Sequence, residues 1–543
     1  MNHLRKHELI LLAFIVGVLF RLLSGLQGID AVDAGFNLTF FQHIFDRPDA
    51  MPYYFCYYLT GLVGGSWQWA FGAWGLLGFR LLEVLTMSAA VLLVYQSFKP
   101  WLPSGKLAAA AVVLSFLFPA FVIVFHYNTL TFLLLSASAW CLSQWAQRGA
   151  PGWLLASGYL VGLCFFARLV NVSMAALCVV PFVVGCRTTL KRGLALGALY
   201  ACGMLTGVAS VVALLLATNQ WSYFQEGFSE AFGFFEGEGT SHTSGNLLGV
   251  YLKSWVNIGL QVAVLAAILY ACDKLAQSTG RWRMVARALL MVVLFVLVWT
   301  SLPYLSAFAA CVLVMVVAVV KGHLPAALKV MIGYVVLAAS LFPLGSDIGV
   351  PGVFHWYAGL LLIPAACCIG QYGAMRRPAL NYLFAFIFIA QFCKAAYKPY
   401  GEHQPRYAMT QQAVCGTLNA WTTPERASQY RHIVECIGKY ETDHPYLLIG
   451  NQASELYYAT QRLPFTSNTQ METYVGERLY AVLDRQQRRY GRLPLVVFLK
   501  RGHDIPSPDD YQASLHPWLQ AYHYSVVYED DDLKLMSTNK NKN

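Results

Sequence analysis

The sequence predicts a multi-span α-helical membrane protein of about thirteen transmembrane helices that ends in a small, soluble C-terminal α/β domain. Three observations predict it. Of the 543 residues, 57% are hydrophobic and only 12% charged, a balance that no ordinary soluble fold requires. Apolar runs about long enough to cross a bilayer recur along residues 1–397. Beyond Tyr397, charged residues, Pro and Asn become frequent, and no later apolar run is long enough to span. The chain therefore divides into a membrane domain, 1–397, and a water-exposed domain, 398–543.

The first span, Leu9 to Leu26, has the basic start of a signal peptide. Arg21 interrupts its end and no small-x-small cleavage site follows, so it reads as a retained helix. Later runs such as Leu107 to Phe125 and Ala286 to Leu302 continue the pattern. The net charge of +10 is dispersed over short loops rather than gathered in a patch, which argues against nucleic acid as a partner. Arg5 and Lys6, Lys99 and Lys106, Arg148, Arg187 to Arg192, Lys274 to Arg287, Lys321 to Lys329, and Arg376 with Arg377 mark one side of the membrane as cytoplasmic. The intervening loops around Asp33, His126, Asn171, Glu226 to His242, Tyr304 and Asp347 carry far fewer Lys and Arg and face outward. This places the N-terminus inside and the C-terminal domain outside.

In the C-terminal domain, Pro424 to Tyr440 reads as a helix. Tyr446 to Gly450 reads as a buried strand leading into a helix over Ala453 to Thr460. Leu493 to Leu499 is a second strand, Tyr511 to Ala521 a helix, and Tyr524 to Tyr528 with Leu533 to Ser537 are closing strands. The domain carries no Gly-rich phosphate loop or metal-ligand spacing, which points to a structural or acceptor-binding role. Most of the thirteen Cys fall in the spans as small packing residues. Cys415 and Cys436 lie in the exported domain, where a disulfide and two free thiols are both open readings.

The segment Gly28-Ile29-Asp30-Ala31-Val32-Asp33-Ala34-Gly35-Phe36-Asn37 follows the first span and places two carboxylates at the membrane surface. From Asp33 the apolar residues recur at helical spacing, which describes an amphipathic helix lying in the interface, with Asp33 and Asn37 on one face. The plain reading of Asp33 is a first-turn acid that caps this helix. Arg80 and Arg168 sit at outward helix ends, where an Arg either snorkels to headgroups, pairs with a neighbouring helix, or grips an anionic phosphate. The outward segment Thr218 to Gly249, rich in Gly and aromatics, reads as a mobile lid. Its Glu236, Glu238 and His242 offer donors to a divalent metal at a spacing that matches no defined site, so a solvated loop is the alternative. Asp347 and His355, flanking a Pro-Gly turn, and His126 with Asn128 are further contact candidates or ordinary loop residues.

An Asp opening an interfacial helix after the first span resembles the membrane glycosyltransferases that use polyprenyl-phosphate sugars, among them protein O-mannosyltransferases and lipid A aminoarabinose transferases. Asp33-Ala34-Gly35-Phe36 stands where that family commonly has Asp-Glu followed by an aromatic; the Glu is replaced by Ala34. Arg80-Leu81-Leu82, the stretch GYLVGLCFFAR ending at Arg168, and the Tyr457 to Pro464 element also resemble the family, so the likeness covers nearly the whole chain. It implies a glycosyltransferase-C (GT-C) fold and single-displacement, inverting transfer of a hexosyl or pentosyl unit from a polyprenyl-phosphate donor such as undecaprenyl phosphate. The acceptor would be a lipid, glycan or protein hydroxyl.

In that reading Asp33 is the base, with Asp30 its rival, and Arg80 and Arg168 hold the donor phosphate. Asn37, His126, Asn128, Glu236, His242, Asp347 and His355 are the candidate substrate contacts. No cofactor is required, and a divalent metal at the lid is an open alternative. The implied setting is a bacterial inner membrane with the C-terminal domain periplasmic. The rival readings are a transporter or flippase of a lipid-linked saccharide, opposed by the lack of an inverted repeat, and a non-catalytic assembly or sensor protein.

Overall fold

A computed structural model describes residues 2–30, 32–102, 105–118, 123–236, 243–277, 281–301, 304–322, 324–371, 378–399, 401–440, 445–470, 474, 476–500 and 508–538. The chain is mostly helical. Its first half contains α1 (Asn2–Gly25), α2 (Asp33–His43), α3 (Tyr58–Phe71), α4 (Gly75–Phe98), α5 (Gly105–Phe116), α6 (Tyr127–Arg148), α7 (Pro151–Ala167), α8 (Val179–Cys186), α9 (Leu190–Ala217) and α10 (Trp221–Glu236). There follow α11 (Ser244–Gln277), α12 (Arg281–Thr300), α13 (Leu305–Lys321), α14 (Ala326–Leu341), α15 (Gly349–Tyr357), α16 (Gly359–Gln371) and α17 (Pro378–Tyr397). Among the described residues, seven helical segments are long and apolar enough to cross a membrane, or eight if α15 and α16, bent by 82°, form one span. The apolar helices α5, α7, α13 and α14 are shorter than the roughly 20 residues a full crossing needs.

Small residues bring the helices together. Gly158 and Gly162 on α7 face Gly203 and Gly207 on α9, so closely that a Cβ at Gly158 would stand 2.1 Å from the Tyr200 carbonyl oxygen. Two facing Gly-x-x-x-Gly patterns are how apolar helices gain packing where no hydrophobic force drives them together. Between α1 and α4 a charged pair does similar work: Arg21 and Glu83, 1% and 0% exposed, are joined through Arg21 Nε at 3.0 and 3.1 Å and through Nη2.

The C-terminal part contains a short ribbon, β1 (Gln411–Gln412) with β2 (Trp421–Thr422), and a five-stranded sheet. The sheet strands are β3 (Tyr446–Ile449), β4 (Leu463–Pro464), β5 (Leu495–Leu499), β6 (Tyr524–Glu529) and β7 (Leu533–Thr538), in the order β4-β3-β5-β7-β6. β3 runs parallel to β4 and β5, with Leu447 opposite Leu495; β7 is antiparallel to β5 and β6. β3 and β5 are buried throughout and read as unbroken apolar runs, whereas β7 alternates. Helices α18 (Pro424–Gly438), α19 (Glu455–Thr460), α20 (Glu477–Tyr490) and α21 (Pro508–Ala521) complete the unit. Thr423 caps α18 by accepting the Arg426 amide, with Pro424 in the first turn. Cys415 and Cys436 are both free thiols.

The C-terminal unit is bonded to one end of the helical bundle. Gly28 donates to the Trp421 carbonyl at 2.8 Å and Trp421 donates to Leu26 at 2.9 Å, so the chain just after α1 extends the small ribbon. Leu76 donates to Thr417 at 3.0 Å, and the Tyr54 hydroxyl meets Thr469 Oγ1 at 2.6 Å.

Two expectations change here. The segment read as a mobile lid is, over Trp221–Glu236, the helix α10. It is held by Arg489 on Glu226 at 2.9 Å, Arg485 on Glu230 at 3.5 Å, and Arg478 on the carbonyls of Glu230 and Gly233. Those arginines lie on or beside α20, some 250 residues away, which is why the local Gly and aromatic content misled. The helix α2 forms from Asp33 as the periodicity requires, but nine of its eleven residues are buried, because α3 packs against Phe40 and Phe41 while α19 of the C-terminal unit closes on Gly35.

Candidate active site

The position of α2 is fixed from both ends. Asp30 Oδ2 accepts the Ala34 amide at 2.6 Å and Oδ1 the Val32 amide at 3.4 Å, so the acid that caps this helix is Asp30. In its middle, Gly35 touches the backbone of α19: a Cβ there would lie 2.0 Å from the Glu455 nitrogen. Phe40 and Phe41 anchor the far half, stacking on Tyr54 and Phe79 with ring centroids 5.3 and 5.4 Å apart.

Asp33 is thereby left at the first helical position, partly exposed, on the wall of a small cavity. Asn37, Val124, His126, Tyr127 and Trp356 complete the wall. Asn37 donates to the Asp33 carbonyl oxygen at 3.0 Å, one turn along the same face. The cavity holds about 20 Å³, room for a single water or hydroxyl. His126 Nδ1 lies 2.9 Å from both the Val124 carbonyl and Thr129 Oγ1; its Nε2 is buried and has no partner among the described residues. With Nδ1–H donating to Val124, Nε2 is a bare acceptor.

Arg168 caps the end of α7 directly behind Tyr127, with its guanidinium 5.7 Å from that ring. It donates to the carbonyls of Phe342 and Leu344 at 3.2 and 3.1 Å and to Asn128 Oδ1 at 3.5 Å. These contacts engage three of its five donors. Arg168 is 7% exposed, and among the described residues no carboxylate pairs with it. A buried cation compensated only by carbonyls and a ring is costly unless an anion joins it. Tyr127 thus stands between Asp33, with which it shares the cavity wall, and Arg168, which lies against its ring. His355 is buried behind Trp356, ring centroids 3.9 Å apart, with Nδ1 2.6 Å from the Gly352 carbonyl.

The remaining candidates lie elsewhere. Arg80 donates to the carbonyls of Gly25 and Gly28, each at 2.5 Å, and so clamps the loop that precedes Asp30. Asp30 belongs to a buried network at the junction with the C-terminal unit. There Glu402 accepts the Ile29 amide at 3.0 Å and the Thr422 hydroxyl at 2.7 Å, and pairs with Arg426 at 2.9 Å. The Tyr430 hydroxyl donates to Glu455 at 2.5 Å. Burial raises the Asp30 carboxyl and pushes Glu455 up to about 8, against the pull of Tyr430 and Arg426. Of Glu236 only the backbone is described, and Glu238 and His242 lie outside the described residues.

Of the residues that the sequence singles out, Asp33, Asn37 and His126 line one cavity, with Arg168 and Asn128 adjoining; the sequence reading joined only Asp33 and Asn37, on one helix face. It did not find Trp356, which reaches the cavity only through the bend between α15 and α16, nor Glu83 and the Glu402–Arg426–Glu455 network. It also found no metal-ligand spacing in the C-terminal unit, yet His432, Cys436 and Asp530 bring their ligand atoms within 4.8 Å of one another, because Asp530 comes from 98 residues beyond His432. A carboxylate and an imidazole acceptor on one cavity wall, with a buried guanidinium behind the Tyr127 ring, can take a proton from a hydroxyl and hold an anion nearby. In comparisons with known proteins, no family model and no curated protein matches the chain.

Proposed function

We propose that the protein is an inverting glycosyltransferase of the GT-C kind, moving a sugar from a polyprenyl-phosphate donor to a hydroxyl acceptor at the outer face of a bacterial inner membrane. The observation that carries the reading is the placement of Asp33 on the wall of one small cavity with His126 and Tyr127, and of the buried Arg168 guanidinium on the Tyr127 ring. Counting the shorter apolar helices as crossings brings the span number toward thirteen, with the N-terminus cytoplasmic and residues 398–543 outside.

A sugar on a lipid phosphate is already activated, so the site needs a base and an anion holder. The cavity has room for one hydroxyl oxygen, the acceptor's, between Asp33 and His126. Asp33 takes its proton as that oxygen attacks the anomeric carbon. The departing phosphate comes to Arg168, whose charge stabilises it. One displacement without a covalent intermediate inverts the anomeric centre. Arg80 acts at one remove, by fixing the Gly25 to Gly28 loop from which Asp30 and α2 are hung.

The test is consumption of a panel of polyprenyl-phosphate sugars by membranes carrying wild type, Asp33→Asn or Asp30→Asn. Asn caps a helix as well as Asp, so Asp30→Asn should keep transfer and Asp33→Asn should lose it. Loss with Asp30→Asn alone would move the base to Asp30. If wild type consumes no donor but carries lipid-linked saccharide across vesicles, the enzyme reading falls to the transporter.

A further inference from the structure

We propose that His432, Cys436 and Asp530 form a binding site for a thiophilic divalent cation of the zinc class, remote from the site around Asp33. His432 and Cys436 stand one turn apart on α18, and Asp530 enters from the turn joining β6 to β7. His432 Nε2 is the meeting point, 2.5 Å from Asp530 Oδ2 and 3.7 Å from Cys436 Sγ. A tetrahedral zinc bonded to nitrogen at about 2.0–2.1 Å and to thiolate at about 2.3 Å sets those two atoms about 3.5 Å apart, close to what is observed. The nitrogen-to-oxygen distance opens to about 3.3 Å as the ion replaces the proton between them.

The surroundings suit a cation. Asp530 is held in place by the amides of Asp532 and Leu533, which donate to Oδ1 at 2.8 and 2.9 Å, leaving Oδ2 toward His432. The Tyr528 hydroxyl donates to the same Oδ2 at 2.7 Å and supplies the outer support that ligating carboxylates have. The Lys500 ammonium is engaged by Glu529 at 2.8 Å and by the Asp530 carbonyl. The His432 and Asp530 side chains are 39% and 26% exposed, so an ion can enter and a water can take the fourth position. The same helix carries Arg426 and Tyr430 of the junction network, and the ion would tie its other end to the sheet.

The experiment uses the full-length, tag-free chain in detergent, stripped with chelator and titrated with Co²⁺ alone. Wild type should take up one Co²⁺ with a thiolate-to-cobalt charge-transfer band that Zn²⁺ abolishes by displacement, and Zn²⁺ should raise its melting temperature. The band should vanish in Cys436→Ser, and affinity should fall about tenfold or more in His432→Ala and Asp530→Asn. No charge-transfer band in wild type would overturn the proposal. So would an undiminished band in Cys436→Ser, which would assign binding to another of the thirteen cysteines.

Discussion

Gly35→Ala probes how far the geometry of Asp33 depends on the C-terminal unit. The added Cβ would meet the Glu455 nitrogen at 2.0 Å and the Ser454 carbonyl carbon at 2.1 Å, both backbone atoms with no rotamer to give way. Reaching the 3.4 Å of ordinary contact requires α2 and α19 to part by about 1.4 Å. Overpacking of this kind costs about 1–3 kcal/mol. Asp33 lies two residues earlier on the same helix and moves with it, and a misplacement of about 1 Å at a reacting group costs roughly a hundredfold in rate. The expected result is a lower melting temperature together with a loss of sugar transfer on that order. Gly152→Ala, where nothing lies within 4 Å of the new methyl, is the control. A Gly35→Ala protein that melts and turns over like wild type would refute both the close approach and the dependence of Asp33 on it.

Three further outcomes are expected. Glu455 titrates near 8 in the folded protein against an ordinary 4.5, so between those values the folded chain holds a proton that the unfolded chain has lost. Stability therefore falls as pH rises through that window, by at most about 1.4 kcal/mol for each pH step of one. Glu455→Gln keeps an acceptor for Tyr430, and its melting curve from about pH 5 to about pH 8 should be flatter than wild type's; parallel curves would contradict this. Glu402→Ala strands the buried Arg426 and should cost about 3–5 kcal/mol, read as a fall in the melting temperature of the detergent-solubilised chain. Arg168→Lys cannot span the Phe342 and Leu344 carbonyls while facing an anion, and should lower the maximal rate of sugar transfer about 10²–10³-fold, more than it changes donor affinity.

What could be read from the sequence follows the range of the forces involved. β3, β5, β6 and β7, and helices α18, α19 and α21, announce themselves by local apolar patterning, and their observed bounds fall within a few residues of expectation. β4 is two residues long and contains Pro464, so only its pairing with Tyr446 and Leu447 makes it a strand. α20 gives no clear apolar signal because eight of its fourteen residues are polar or charged, although Leu479, Val482 and Leu483 supply the buried stripe. α10 reads as a loop in the sequence because its partners are arginines far along the chain.

At the site, Asp33 and His126 can be singled out from the sequence because both stand where an outward loop meets a helix, and Asn37 because it follows Asp33 by one helical turn. Which of two acids caps α2, and that Arg80 faces carbonyls instead of solvent, depend on where single side chains turn. No periodicity encodes that.

The bonds from Leu26 and Gly28 to Trp421 have a consequence for how the protein is made. The segment just past α1 leaves the ribosome well ahead of its backbone partner, which is synthesised almost four hundred residues later, and of α19, which covers Gly35 and comes later still. Chains emerge from the N-terminus at roughly 5–20 residues per second, so α2 waits tens of seconds for its cover. The helix that bears Asp33 is set in place only after α19 has emerged, and a chain cut short after α17 would leave it without the surface that holds it.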